Sequence, residues 1–153
     1  MSGEEHTVMY DEHIEKIFPA LRGCYKVTSP QDDRYNCIAW AAGSTNRWWW
    51  PSQFSYWPEE AALECTIEAF EEVYRLLDYE VCEDSSLEDG YEKIAIYADS
   101  HGIPTHAAKQ LQNGKWSSKL GGFEDIEHES LWSLEGNNYG KVVLFMKKPY
   151  ETS

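Results

Sequence analysis

The sequence predicts an α+β fold, with helices in the first two thirds of the chain and a small antiparallel sheet at its end. Three observations carry this. Residues 59–78 place Leu63, Ile67, Phe70, Tyr74 and Leu77 at helical spacing, with glutamates between them. The stretch THAAKQLQNGKWSSKLG (105–121) holds the hairpin turn signal Asn113-Gly114. Near the end, KVVLFMKK (141–148) is an apolar run with a β-branched pair, as in a strand. A length of 153 residues suits one domain, read here as residues 1–153.

Residues 10–22 predict a short helix with Ile14, Ile17, Phe18 and Leu21 on one face. TSPQDDRYN follows as a loop, broken by Pro30 and its polar cluster. CIAWAAG predicts a short helix, with Asn36 as its N-cap and Gly43 as its stop. STNRWWWPSQFSYWP (44–58) holds two prolines and reads as a packed, irregular loop. The helix of 59–78 starts after Pro58, with Glu59 and Glu60 suited to its first turn. EDSSLEDG is an acidic loop. YEKIAIYADSHG (91–102) reads as a second helix, closed by Gly102 and barred from continuing by Pro104. FEDIEHES (123–130) reads as a helical turn capped by Asp125.

Composition narrows the function. Hydrophobic residues are 42% of the chain and aromatics 14%, which excludes a disordered chain. The formal net charge of −14 disfavours nucleic acid and anionic membrane surfaces, and suits a basic protein or peptide partner. The N-terminus MSGEEHTVMYDEH has neither the basic region nor the apolar run of a secretory signal, and no stretch is apolar enough to span a bilayer. The expectation is a cytoplasmic protein. Cys24, Cys37, Cys65 and Cys82 form no CxxC pair and read as free thiols. No nucleotide, metal or serine-hydrolase motif is present, so no cofactor and no metal are expected. Cys37, His101, His106 and His128 are too irregularly spaced to predict a zinc site.

Two residues invite chemistry. Cys37 opens a predicted helix, where backbone N–H groups and the helix dipole favour a thiolate, the nucleophilic form. His106 opens a predicted strand and can serve as the base that a thiol nucleophile needs. The bland alternatives are a buried structural cysteine and a hydrogen-bonded core histidine. Trp48, Trp50 and Trp57 follow Cys37 closely; they wall a substrate cleft or pack the core, and three consecutive tryptophans cannot all point inward from an extended chain.

Cysteine at a helix start, then histidine at a strand start, resembles the papain-like cysteine hydrolases, and most closely their compact bacterial branch. That resemblance implies a nucleophile helix packed on a small antiparallel sheet. It also implies an oxyanion-stabilising role for Gln31, six residues before Cys37, and a third catalytic position twelve residues after His106. That position is Ser118, where the family has His, Asn or Asp. Asp125 and His128 are other candidates for it, and His128 is also expected with Trp48, Trp50 and Trp57 among the substrate-binding residues. The hairpin register decides the matter: a Gln112-Asn113-Gly114 loop turns Ser118 to the side of His106, whereas a two-residue Asn113-Gly114 loop turns it away. A narrower likeness, carried by YNCIAWAAG, WWWP and THAAKQL…GKWSSKLG…DIEH, is to a family of small uncharacterised bacterial proteins, and implies only that these segments assemble together. Two functions are therefore expected to compete: a cysteine-dependent hydrolase or acyl transferase acting on an amide-type bond, or a non-catalytic acidic module that binds a protein.

Overall fold

Seven strands pair side by side in one antiparallel sheet in the computed structural model, which describes residues 12–120 and 124–150. The elements in chain order are α1 (Glu12–Ile17), a 3₁₀ turn (Pro19–Leu21), β1 (Tyr25–Ser29), α2 (Cys37–Ala41) and α3 (Ile67–Arg75). There follow β2 (Glu80–Cys82), β3 (Tyr91–Ala98), β4 (Pro104–Gln110), β5 (Trp116–Lys119), β6 (Asp125–His128), a 3₁₀ turn (Trp132–Leu134) and β7 (Lys141–Pro149). The sheet order is β1-β6-β5-β4-β3-β7-β2. The expected α+β, papain-like architecture is thus corrected to a sheet-dominated fold carrying three short α-helices among the described residues.

Strand β3 explains much of the correction. YEKIAIYA, read above as a helix, is a central strand between β4 and β7. Ile94 and Ile96 point to one core, and Ala95 and Tyr97 to the other. A strand covered on both faces is a continuous apolar run, and the alternation that marks a strand disappears. Lys93 adds to the disguise. It is 1% exposed, with its ammonium held at 3.2 Å from Asp84 and 3.5 Å from Glu88.

The two cores define the layers. On one face α2, α3 and the aromatic loop cover Ile94, Ile96, Ala107 and Met146. On the other, α1 and both 3₁₀ turns cover Ala95, Tyr97, Ala108, Trp116 and Ile126. The predicted helix 59–78 forms only as α3, because Thr66 takes the N-cap role by accepting the Ala69 N–H. Residues 59–66 turn instead, pinned where the Trp57 indole donates to the Ala62 carbonyl. The 10–22 helix divides at Pro19, and its residues 10 and 11 lie outside the described residues. The helical turn expected at Asp125 is strand β6, since Ile126 fills the core between β1 and β5.

Candidate active site around Cys37 and His106

The thiol is placed by its neighbour. The Asn36 side chain caps α2 by accepting the Ala39 N–H at 3.1 Å. The same amide accepts the Trp49 N–H and donates to the Trp49 carbonyl at 2.8 Å. One side chain therefore fixes both the helix start and the tryptophan loop. Cys37 is 5% exposed and lines a cavity of about 280 Å³ with Asn36, Trp48, Trp50, Thr105 and Tyr139.

The sheet opens beside this thiol. β4 and β5 pair through Lys109–Ser117 and Gln110–Trp116, and Leu111 N–H reaches the Lys115 carbonyl. N–H groups at odd positions of β4 therefore face β5. The ladder ends at Lys109, and the next such N–H, that of Ala107, points at Cys37 Sγ. Burial pushes the Cys37 thiol up to about 11, against the opposing help of the N–H groups of Ala107, Ile38 and Cys37 and the Lys119 ammonium. At neutral pH it is a protonated thiol.

His106 lies on the other side of the same strand. Ala107 packs with α2, so its neighbours His106 and Ala108 face the opposite core. The turn spans Gln112-Asn113-Gly114, with Gly114 left-handed at φ +88°. Ser118 therefore faces the side of His106, the first of the two registers considered above. Its Oγ lies 3.0 Å from His106 Nε2 and 2.8 Å from His128 Nε2. His128 Nδ1 lies 2.9 Å from the Ser130 carbonyl. All three side chains are fully buried.

The proton order in this chain follows from its last member. A carbonyl only accepts, so His128 carries its proton on Nδ1 and leaves Nε2 bare. The Ser118 hydroxyl then donates to His128, and its oxygen accepts from His106 Nε2–H. His106 is left with a bare Nδ1 that is buried and has no hydrogen-bond partner among the described residues. Burial holds both imidazoles neutral, His106 well below the ordinary histidine range and His128 at about 4. The His106 ring stacks on Tyr139 at 4.1 Å and 8°. It makes no hydrogen bond to Cys37.

The remaining predicted residues divide. Trp48 and Trp50 line the cavity, whereas Trp57 is buried against Phe70, 5.0 Å between ring centroids. His128 joins the relay instead of lining the cavity. Asp125 accepts the Tyr35 hydroxyl at 3.0 Å and is not bonded to an imidazole. Gln31 is exposed in the loop after β1 and is not among the residues that line the Cys37 cavity. His101 sits in an exposed turn, its backbone N–H bonded to Asp99, not at a helix end. Among the described residues no three His, Cys, Asp or Glu side chains are grouped to hold a metal ion. Sequence reasoning missed Tyr139, which lies in a glycine-flanked loop without any periodic pattern; the stacking itself has no sequence signal.

No curated protein and no solved structure matches the chain. A profile described as a domain of unknown function, DUF7689, matches residues 26–147. That span takes in α2, α3 and every strand of the sheet except the first residue of β1 and the last two of β7, and the chain belongs to the DUF7689 family.

Proposed function

We propose that this protein is a cysteine-dependent hydrolase or acyl transferase acting on an amide-type bond of a protein or peptide, with Cys37 as nucleophile and His106 as base. The observation that supports it is the bare, buried Nδ1 of His106, left as an unpaired acceptor by a hydrogen-bond chain that permits no other neutral tautomer. A buried acceptor without a donor costs about 1–3 kcal/mol. In this reading the Cys37 thiol supplies that proton, through the opening left where the β4–β5 ladder ends at Lys109.

The chemistry is general-base catalysis, because the resting thiol and imidazole are both neutral. Nδ1 takes the Cys37 proton as Sγ bonds to the substrate carbonyl. The imidazolium then returns that proton to the departing amine, leaving an acyl thioester that water or an acceptor amine resolves. Ser118 orients the ring through Nε2 but brings no negative charge, so it gives less support to the imidazolium than a carboxylate does. Four free thiols suit a reducing, cytoplasmic setting. The acidity of the chain fits a basic substrate protein. No described helix is long and apolar enough to cross a membrane.

A second reading, the non-catalytic acidic binding module, draws on the upward shift of the Cys37 thiol and the missing Cys37–His106 hydrogen bond. Iodoacetamide labelling separates the two. It is a small carboxamide, and its rate at each cysteine is measured against pH in the wild type and in His106→Ala. The readout is the ratio of the two rates at Cys37. A fall of about tenfold or more in the variant, with Cys24, Cys65 and Cys82 unchanged, supports the enzyme. A ratio near one sinks it and leaves the binding module.

A further inference from the structure

We propose that Tyr139 is a gating residue that covers His106 and closes one wall of the Cys37 cavity in the resting protein, and that its ring swings into a neighbouring apolar cavity to open the path between nucleophile and base. This inference rests on the hydrolase reading above. Tyr139 is shared by both halves of the site. Its ring stacks face to face on His106, and it lines the cavity that Cys37 lines. It also lines a second cavity of about 200 Å³, walled by Ile14, Ile17, Phe18 and Leu120. The ring therefore has an apolar space beside it to enter, next to Phe18, whose ring centroid is already 5.1 Å away.

The loop that carries Tyr139 is built as a short flap. Gly136 and Gly140 close it by exchanging two backbone hydrogen bonds, at 2.9 and 2.8 Å. Gly136 has φ +144° and Gly140 +76°. Within the flap, Tyr139 is held from β4 by the Thr105 hydroxyl, which donates to its carbonyl. With the backbone anchored at both ends and at the Tyr139 carbonyl, the movement proposed is that of the side chain while its loop stays. Displacing the ring uncovers one face of His106 and enlarges the cavity that Cys37 lines.

The test is iodoacetamide labelling of Cys37 in Tyr139→Ala, Tyr139→Leu and Tyr139→Phe, each with and without His106→Ala. Cys24 labelling and circular dichroism report whether the fold survives. Tyr139→Phe keeps the stack and stays within about twofold of the wild type, whereas Tyr139→Ala and Tyr139→Leu label about tenfold faster or more. That gain is lost when His106 is replaced. Should folded Ala and Leu variants label at the wild-type rate, the gate is wrong, whatever the wild-type His106 ratio. Should they label faster but without regard to His106, Tyr139 is a lid on the thiol alone and the base assignment fails. Tyr139→Leu keeps apolar bulk, so it decides the matter if the alanine variant unfolds.

Discussion

Ser118→Ala removes the one atom that two buried imidazoles share. Oγ accepts from His106 Nε2 at 3.0 Å and donates to His128 Nε2 at 2.8 Å, and the residue is 0% exposed. Without it, one N–H donor and one bare nitrogen lose their partners in a space closed to water. Each such group costs about 1–3 kcal/mol, and the methyl left behind fills most of the volume, so the expected loss is about 3 kcal/mol. For a chain of this size that corresponds to a melting temperature lower by about 6–12 °C. Thermal and urea unfolding followed by circular dichroism at pH 8, where both imidazoles are neutral, measure it. The neighbouring Ser117→Ala is the control: Ser117 accepts only the Trp40 indole N–H at 3.0 Å, on the other face, and its loss costs about 1 kcal/mol. A Ser118→Ala protein no less stable than Ser117→Ala refutes the relay, and with it the proton order that leaves His106 Nδ1 bare.

Further predictions concern pH, backbone and the buried ammonium. Burial lowers the pKa of His128 from 6.5 to about 4 and holds that of His106 well below 6.5, so below pH 6.5 the unfolded chain binds protons that the folded one refuses. Stability is therefore whole above about pH 6.5 and falls with acidification, by about 3 kcal/mol for His128 on reaching pH 4; a urea midpoint that is flat from pH 7.5 to 5 contradicts this. At Gly140 a Cβ would stand 2.0 Å from the Ala98 carbonyl oxygen, whereas at Gly43 it meets nothing within 4 Å. Gly140→Ala should cost roughly 3 kcal/mol or more and Gly43→Ala about 1, and equal costs in denaturation would show that the flap is not pinned to β3. Lys93→Met removes a buried ion and should cost less than about 1 kcal/mol. Asp84→Asn with Glu88→Gln removes both counter-charges, leaves the ammonium neutral acceptors such as the residue 84 carbonyl at 3.1 Å, and should cost more than Lys93→Met by the same assay.

What could be read from the chain depended on whether local chemistry or tertiary cover decided each element. Asn36 as cap and Cys37 as first helical residue were legible because capping is settled within four residues. The Asn113-Gly114 turn was legible for the same reason, and its two possible registers were already the question that decided Ser118. β3 was not legible. A strand with both faces buried and a short buried helix share the same apolar run, and only its partners β4 and β7 distinguish them. Leu63 belonged to a convincing helical stripe yet is 59% exposed, because Thr66 starts the helix three residues later. Of the site, Cys37, His106, Ser118 and His128 were all named from sequence, but their division between the two sides of β4 was not. That division follows from a sheet covered on both faces, which the mistaken helix at 91–102, in place of central strand β3, had hidden.

The three hydrogen bonds of Asn36 bear on how this family can diverge. Its oxygen takes the N–H groups of Ala39 and Trp49, and its nitrogen serves the Trp49 carbonyl. Aspartate offers no donor, and serine cannot span to the tryptophan loop, so the requirement for asparagine is architectural and owes nothing to reactivity. Cys37 packs in the same core, but its thiol is the group that the proposed chemistry uses. If Cys37 acts as proposed, the two adjacent positions are under separate pressures, and a descendant that has given up that chemistry while keeping its shape should retain the asparagine and lose the thiol. The pairing of these two letters across the lineage is then a historical record of whether chemistry was ever what selection preserved here.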